Sequence, residues 1–479
     1  MDTAMRTRLI YYYRQGFWLL VLALFLSGCG GRDDSPKGLV SHLASEKDDQ
    51  AHRLFRDESI RFPPEARQFF RAAEDGQWDK ATNLYAEIRQ KYIIAAGPPT
   101  NARDAFMAQT YASLSRLDLT PTNYWPPFHG PQWQPIEDVN WAIFQFQQWD
   151  PELIRFYATN IIRSIPAGSV FISGMASGLF VIPTFNSRSG GDGEPFITLT
   201  PNKLLDYEYV DYVRRAYGTN VRMFNPDDVR SAYADYISNA TQRAALGQLK
   251  PGEIFTNYGG GRAAIVGDVG MMEINARLLQ RLMFAYNTNR DFYYEERWPL
   301  DWTTPYLIPH GLIFKINRTP LDSLEPAVLA QDRQYWKSVM RTLTGLEVDD
   351  ATTLSQISNY VDTVYVRKDL SRFQGNPHYV TNEIAQTTFA KLRVSIARVY
   401  AWRATNFSWE TDRLAQEADL VFRQTLVLNP RLPELDQYGA FLYSQKRTND
   451  LQSLAGMIKQ FNPGGSTAEY LDKLANYHP

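Results

Sequence analysis

A single cysteine, Cys29, stands in a chain of 479 residues. One thiol cannot close an intrachain disulfide, build a zinc site from several thiolates or form a Cys-x-x-Cys redox pair. The fold must therefore be held by a hydrophobic core and hydrogen bonds. The composition permits it, with 44% hydrophobic against 21% charged residues, a globular balance rather than a disordered one. The length corresponds to about three domains. Fifty basic and 52 acidic residues give a formal net charge of -2. No overall positive field exists to attract nucleic acid, and no nucleic-acid partner is expected.

The position of Cys29 is informative. Arg6, Arg8 and Arg14 form a basic flank, and Phe17 to Leu26 is an unbroken apolar run of ten residues. A bilayer-spanning helix needs ~20, whereas the core of a signal peptide is of this length. The run ends in Leu26-Ser27-Gly28-Cys29, which resembles a bacterial lipobox. The resemblance implies a signal peptide over 1–28 and a mature chain that begins at a diacylated Cys29, with palmitate-type chains in the membrane. Two or three acyl chains hold far more firmly than one. Gly30 follows the cysteine in place of Asp, which by the same resemblance implies the outer membrane, facing the periplasm. Residues 29–47 read as a polar lipid tether. The alternative is a short transmembrane anchor in which Cys29 is an ordinary buried small residue.

Residues 48–165 read as helical, with a Pro/Trp-rich loop. The stretch ARQFFRAAEDGQWDKATNLYAEI breaks at Gly76, and Ala81 and Tyr85 share a face beyond it, as in a tetratricopeptide hairpin. Pro121, Pro126, Pro127, Pro131 and Pro135 interrupt regular structure. Trp125 and Trp133 are expected to pin that loop to the body. Residues 166–345 read as an α/β domain of short, mostly parallel strands with helices, a mixed sheet being the alternative. Strands are expected at Ser169–Ser173, Pro195–Thr200 and Val221–Phe224. Helices are expected at Leu204–Tyr217, closed by Gly218, and at Asp227–Leu246.

Gly259, Gly260 and Gly261 precede the apolar strand Ala263–Val266. Asp268 follows, then a helix from Met271 to Tyr286. A phosphate cradle would place its glycines after the strand, and no G-x-G-x-x-G is present. No cofactor is expected. Residues 346–378 read as a linker. The region 379–479 reads as helical, tetratricopeptide-like repeats: Ala418, Phe422 and Pro430 have that spacing, and Pro463 lies 33 residues after Pro430. The chain is mostly helical overall.

The strongest chemical cluster lies in 293–310. Glu295, Glu296, Asp301 and His310 stand among Tyr293, Tyr294, Trp298, Trp302 and Tyr306, and Asp268 adds a further carboxylate. Paired carboxylates ~5–10 Å apart beside aromatics are what a glycan-cleaving subsite offers. The plainer readings are an ion pair of Glu295 with Arg297 or Arg318, and a His310 that merely bonds a backbone carbonyl. His42, His52, His129, His310, His378 and His478 form no ligand spacing, so no metal is expected.

Phe196–Asn202 (FITLTPN), Tyr209–Arg214, Tyr217-Gly218, Glu295-Glu296, Pro299–Trp302 and Pro309–Gly311 resemble the soluble region of bacterial envelope proteins. Those proteins are similar to multi-spanning relatives of protein O-mannosyltransferases, and many end in tetratricopeptide repeats. The resemblance implies an α/β body followed by helical repeats. The catalytic part of such transferases lies in the membrane, so the resemblance lowers the odds of glycosyl transfer by this chain and carries over no catalytic residue. Two functions stand as expectations. One is an envelope lipoprotein acting as a scaffold or assembly factor, bound to the membrane through Cys29 and to a protein or peptide through its C-terminal repeats. The other is a glycan-active or sugar-binding protein using 293–310.

Overall fold

The computed structural model describes residues 33–92, 130–187, 195–259, 262–266, 268–296, 301–461 and 464–476. The signal segment 1–28, Cys29, the Pro121–Pro127 stretch with Trp125, Arg297, Trp298 and Pro463 lie outside the described residues. The fold is predominantly helical around a small mixed sheet.

The first helix, α1 (Pro36–Asp57), begins where Ser35 Oγ accepts the Gly38 N–H at 3.1 Å and Pro36 supplies the first helical position. Leu39, Val40, Leu43, Ala44, Ala51, Leu54 and Phe55 are buried along one face. The expectation of a tether over 29–47 is corrected for residues 36–47, which belong to this helix because a helical apolar periodicity begins there. The hairpin expected around Gly76 is present as α2 (Pro64–Glu74) and α3 (Trp78–Tyr92), with Gly76 at φ +66 in the left-handed region that glycine adopts freely. These pack on α4 (Gln134–Gln148). Trp133 is buried against Phe55 and Tyr92, with centroids 5.0 and 5.1 Å apart. Next comes α5 (Pro151–Ser164), capped by Asp150.

The chain then enters the sheet at β1 (Val170–Ile172) and turns through a π-turn at Ser177–Val181 into α6 (Ile182–Asn186). It continues through β2 (Ile197–Leu199), α7 (Tyr207–Tyr217), α8 (Pro226–Ala245), a separate hairpin β3 (Ile254–Gly259) and β4 (Arg262–Val266), and α9 (Asp268–Arg281). It returns as β5 (Phe292–Tyr294), β6 (Leu307–His310) and β7 (Ile313–Ile316), giving the order β2-β1-β5-β7-β6. β1 is parallel to β2 and β5, whereas β7 is antiparallel to β5 and β6. The mixed sheet is therefore what forms: Gly311, at φ +64, lets β6 and β7 close as a tight hairpin. Val221–Phe224 is extended but not a strand. Its partner is a side chain: Arg222 N–H donates to Asn287 Oδ1 at 2.9 Å, and Asn287 Nδ2 donates to the Arg222 carbonyl at 2.9 Å. Gly259 ends β3, which pairs antiparallel with β4, while Gly260 and Gly261 lie outside the described residues.

The helix α10 (Pro326–Thr344) leads into the region expected as a linker. That expectation is corrected. α11 (Leu354–Val361) is fastened by a Thr353/Gln356 capping box, and Leu354, Ile357, Val361, Val364 and Tyr365 are buried. Tyr365 Oη donates to the Val427 carbonyl at 3.0 Å. After α12 (Pro377–Thr381) come α13 (Glu383–Asn406), α14 (Thr411–Leu428), α15 (Asp436–Ser444), α16 (Thr448–Phe461) and α17 (Ser466–Ala475). The helical array is fastened to the body. Arg403 Nη2 donates to the Pro305 and Leu321 carbonyls at 3.0 and 3.2 Å, and Glu410 Oε1 accepts the Leu324 N–H at 3.0 Å. Among the described residues no helix is long and apolar enough to cross a membrane.

Candidate functional site

Open sheets of this kind bind ligands outside the carboxyl ends of parallel strands, where neighbouring strands connect in opposite directions. Here that point falls between β1 and β5: the chain leaves β1 for β2 on one flank, and β5 lies on the other. Ser173 follows β1 and Glu295 follows β5, with Glu295 N–H donating to the Ile172 carbonyl and Ser173 N–H to the Leu199 carbonyl, both at 2.9 Å.

The crevice is filled. Glu295 is fully buried and accepts hydrogen bonds from Tyr157 Oη and Ser173 Oγ. Its position requires Gly178, because a Cβ there would collide with the Glu295 carboxyl. Burial is the largest influence on Glu295 and pushes its pKa up to about 8, against the opposing pull of the two hydroxyl donors. Trp149 lies 5.3 Å from Tyr157, and Phe389 of α13 meets Tyr157 edge-on at 6.2 Å. Aromatic rings from α5 and α13 thus cover the strand ends.

Glu296 is also buried, and burial again dominates, raising its pKa to about 7; Lys391 opposes the rise and Glu434 adds to it. The two adjacent glutamates meet different neighbours and do not face each other across an open space. Asp301 opens a short 3₁₀ turn, Asp301–Tyr306, and Asp268 begins α9; their side chains lie outside the described set. His310 Nε2–H donates to the Ser164 carbonyl at 2.8 Å, the structural bond that was the plainer expectation. Arg318 is directed to the Met283 and Asn287 carbonyls at 3.3 and 3.5 Å. Among the described residues no group of three or more His, Cys, Asp or Glu side chains could hold a metal.

Tyr157 was not singled out from sequence, and Ser173 and Gly178 were read only as a strand end and a turn glycine. The available signal was an apolar strand followed by Ser173-Gly174 and a second glycine four residues on.

A second concavity lies on the helical array. It is an open groove of about 370 Å³ between α13, α14 and α15, floored by Trp402, Phe422 and Phe441, with Arg398 and Gln437 at its polar edge. Beside it runs an aromatic ladder: Trp402 to Phe407 at 5.8 Å, then Phe407 to Trp409 at 5.2 Å. Trp409 is 67% exposed, an unusual placement for so much apolar surface.

No protein-family model matches this chain, and neither does any curated protein or solved structure.

Proposed function

We propose that this protein is a lipid-anchored scaffold or assembly factor of the bacterial cell envelope, and that it docks a protein segment in the groove between α13 and α15. The observation that carries the reading is that groove with its exposed aromatic ladder. α13 with α14, and α15 with α16, follow one another as two helical hairpins, and α17 closes the end. The sequence spacing of Ala418, Phe422 and Pro430 resembles that of tetratricopeptide units, which supports a repeat-type docking surface. Phe422 stacks on Tyr438 at 5.0 Å across the two hairpins. Aromatic residues in a partly open pocket are the usual anchors of a protein interface.

The reading at 293–310 has less support, because Glu295 is sealed beneath Tyr157 and Phe389 and presents no carboxyl to a substrate.

The groove is tested at Ala440, which is exposed and lines it. A photoreactive residue in place of Gln437 is expected to trap a discrete envelope partner in intact cells. Ala440→Arg in the same chain should abolish the adduct while circular dichroism stays unchanged. An adduct insensitive to Ala440→Arg would reject this groove as the docking surface.

The anchor is tested at Cys29. Cys29→Ser should move the protein from the detergent phase to the aqueous phase, or leave the signal segment uncleaved. Identical mass and extraction for wild type and variant would exclude lipidation.

A further inference from the structure

The outer side of α4 carries apolar surface that the core does not use. Ile136, Val139, Ile143 and Phe146 are buried along the inner side of this helix. Trp141 and Phe144, three residues apart, lie off that side: Phe144 is 43% exposed and Trp141 is half-buried. Phe180 of the π-turn, also half-buried, stacks on Trp141 at 6.0 Å with the planes 22° apart. Phe144 meets Trp141 edge-on at 5.8 Å. The three rings form one surface patch, and apolar surface gathered in one exposed place marks a contact.

The position of the patch indicates what it touches. α1 and α4 run antiparallel: Lys47 meets Asp138, and Phe55, further along α1, meets Trp133, just before α4. At 1.5 Å per residue, Ser35 lies about 18 Å from the level of Lys47, towards the start of α1. Phe144, six residues beyond Asp138, lies about 9 Å in the same direction. The patch is therefore within about two turns of the end where the chain enters the body. Arg155 of α5 belongs to that end as well, donating to the Asp34 carbonyl at 2.5 Å.

Charge does not explain a contact there. Lys37 and Arg155 stand with Asp33, Asp34 and Glu152 around the entry point. Among the described residues this end therefore has no basic cluster to attract anionic headgroups. Indole and phenyl rings beside a mixed polar rim suit the boundary between headgroups and acyl chains, where apolar area supplies the binding.

We propose that the patch of Trp141, Phe144 and Phe180 dips into the headgroup region of the membrane that holds the lipid on Cys29, as a second attachment that sets the orientation of the body. The proposal rests on the lipid anchor and is independent of the docking groove.

The experiment uses full-length protein purified from membranes and reconstituted in phosphatidylcholine vesicles. Gln147, exposed and three residues beyond Phe144, is replaced by Cys and labelled with an environment-sensitive fluorophore, so that the three rings stay intact. The label at Gln147→Cys is expected to shift its emission to the blue on vesicles and to be quenched by lipids brominated near the headgroup end of the acyl chains. The same label at Arg56→Cys, about 30 Å from Ser35 along α1, should report water. Adding Phe144→Asp to the Gln147→Cys chain should abolish the shift and the quenching while circular dichroism stays unchanged. Wild type is treated in parallel, since a lipidated Cys29 has no thiol to react. Uptake of label by wild type rejects the anchor, and the proposal with it. With wild type unlabelled, the proposal alone is overturned by a water-like emission at Gln147→Cys or by equal immersion of both labels. Immersion that survives Phe144→Asp, or that appears only with phosphatidylglycerol, overturns it as well.

Discussion

Replacing Arg393 by Met is expected to destabilise the folded chain by about 3–5 kcal/mol, the usual cost of breaking a fully buried ion pair from one side. Arg393 of α13 and Asp332 of α10 are both essentially inaccessible to water. Arg393 Nη1 donates to both carboxylate oxygens at 3.0 and 2.9 Å, and Nε donates to Gln424 Oε1 at 2.8 Å. Tyr400 Oη donates to Asp332 Oδ2 at 3.1 Å. The guanidinium lies 4.7 Å from the Trp336 ring centroid. Removing the cation strands a carboxylate where water cannot reach it. The pair itself need not be stabilising, since well-packed apolar replacements of such pairs are often neutral. The double variant Asp332→Leu/Arg393→Met should therefore be more stable than the two single losses summed. Urea denaturation of the four proteins reads this directly. Single variants within about 1 kcal/mol of wild type would show that the pair is not sealed as described.

Stability should also fall as pH rises from acid toward mild alkali, and Glu295 should be the main cause. In the unfolded chain this carboxyl releases its proton near 4.5, and in the folded chain near about 8. Between those values the folded state holds a proton that the unfolded state has lost. The contribution is complete below the lower value, is lost progressively across the window, and levels off above the upper one. The slope is ~1.4 kcal/mol per pH unit for one such group. Glu296 adds a similar slope over the narrower span from 4.5 to about 7. Glu295→Gln keeps an acceptor for Tyr157 and cannot ionise, so it should flatten the profile over the upper part of the window. Urea midpoints taken at about pH 5, 6.5 and 8 test it. A variant with the same pH dependence as wild type would exclude Glu295 as the titrating group.

The sequence was legible where a pattern is local. The 3.6-residue periodicity located α3, α7 and α8, and short apolar runs bounded by Gly or Pro located β1 and β2. It was misleading where a partner is distant. Glu295 sits beside Glu296 and Arg297, which suggests a paired carboxylate site or an ion pair with a nearby arginine, yet its hydrogen-bond partners are 138 and 122 residues away. Val221–Phe224 has strand composition, but the Asn287 amide replaces the neighbouring strand, and nothing in its own residues reveals that. In 346–378, Leu354, Ile357 and Val361 mark one helical face. The surrounding Asp and Thr residues outweighed those three apolar positions, and the region read as a linker. The groove is likewise invisible in sequence, since its floor is shared among three helices.

The start of α1 sets a reach. Ser35, the cap, lies six positions after Cys29, with five residues between them, and a fully extended chain covers at most ~3.5 Å per step. With a lipid on Cys29, as proposed, the folded body is held on a leash of about 20 Å, shorter than the body is wide. Such a protein works at the surface of its own membrane. A partner has to come to that surface, and the anchor then confines the encounter to a thin layer, which raises the local concentration of any segment that enters it.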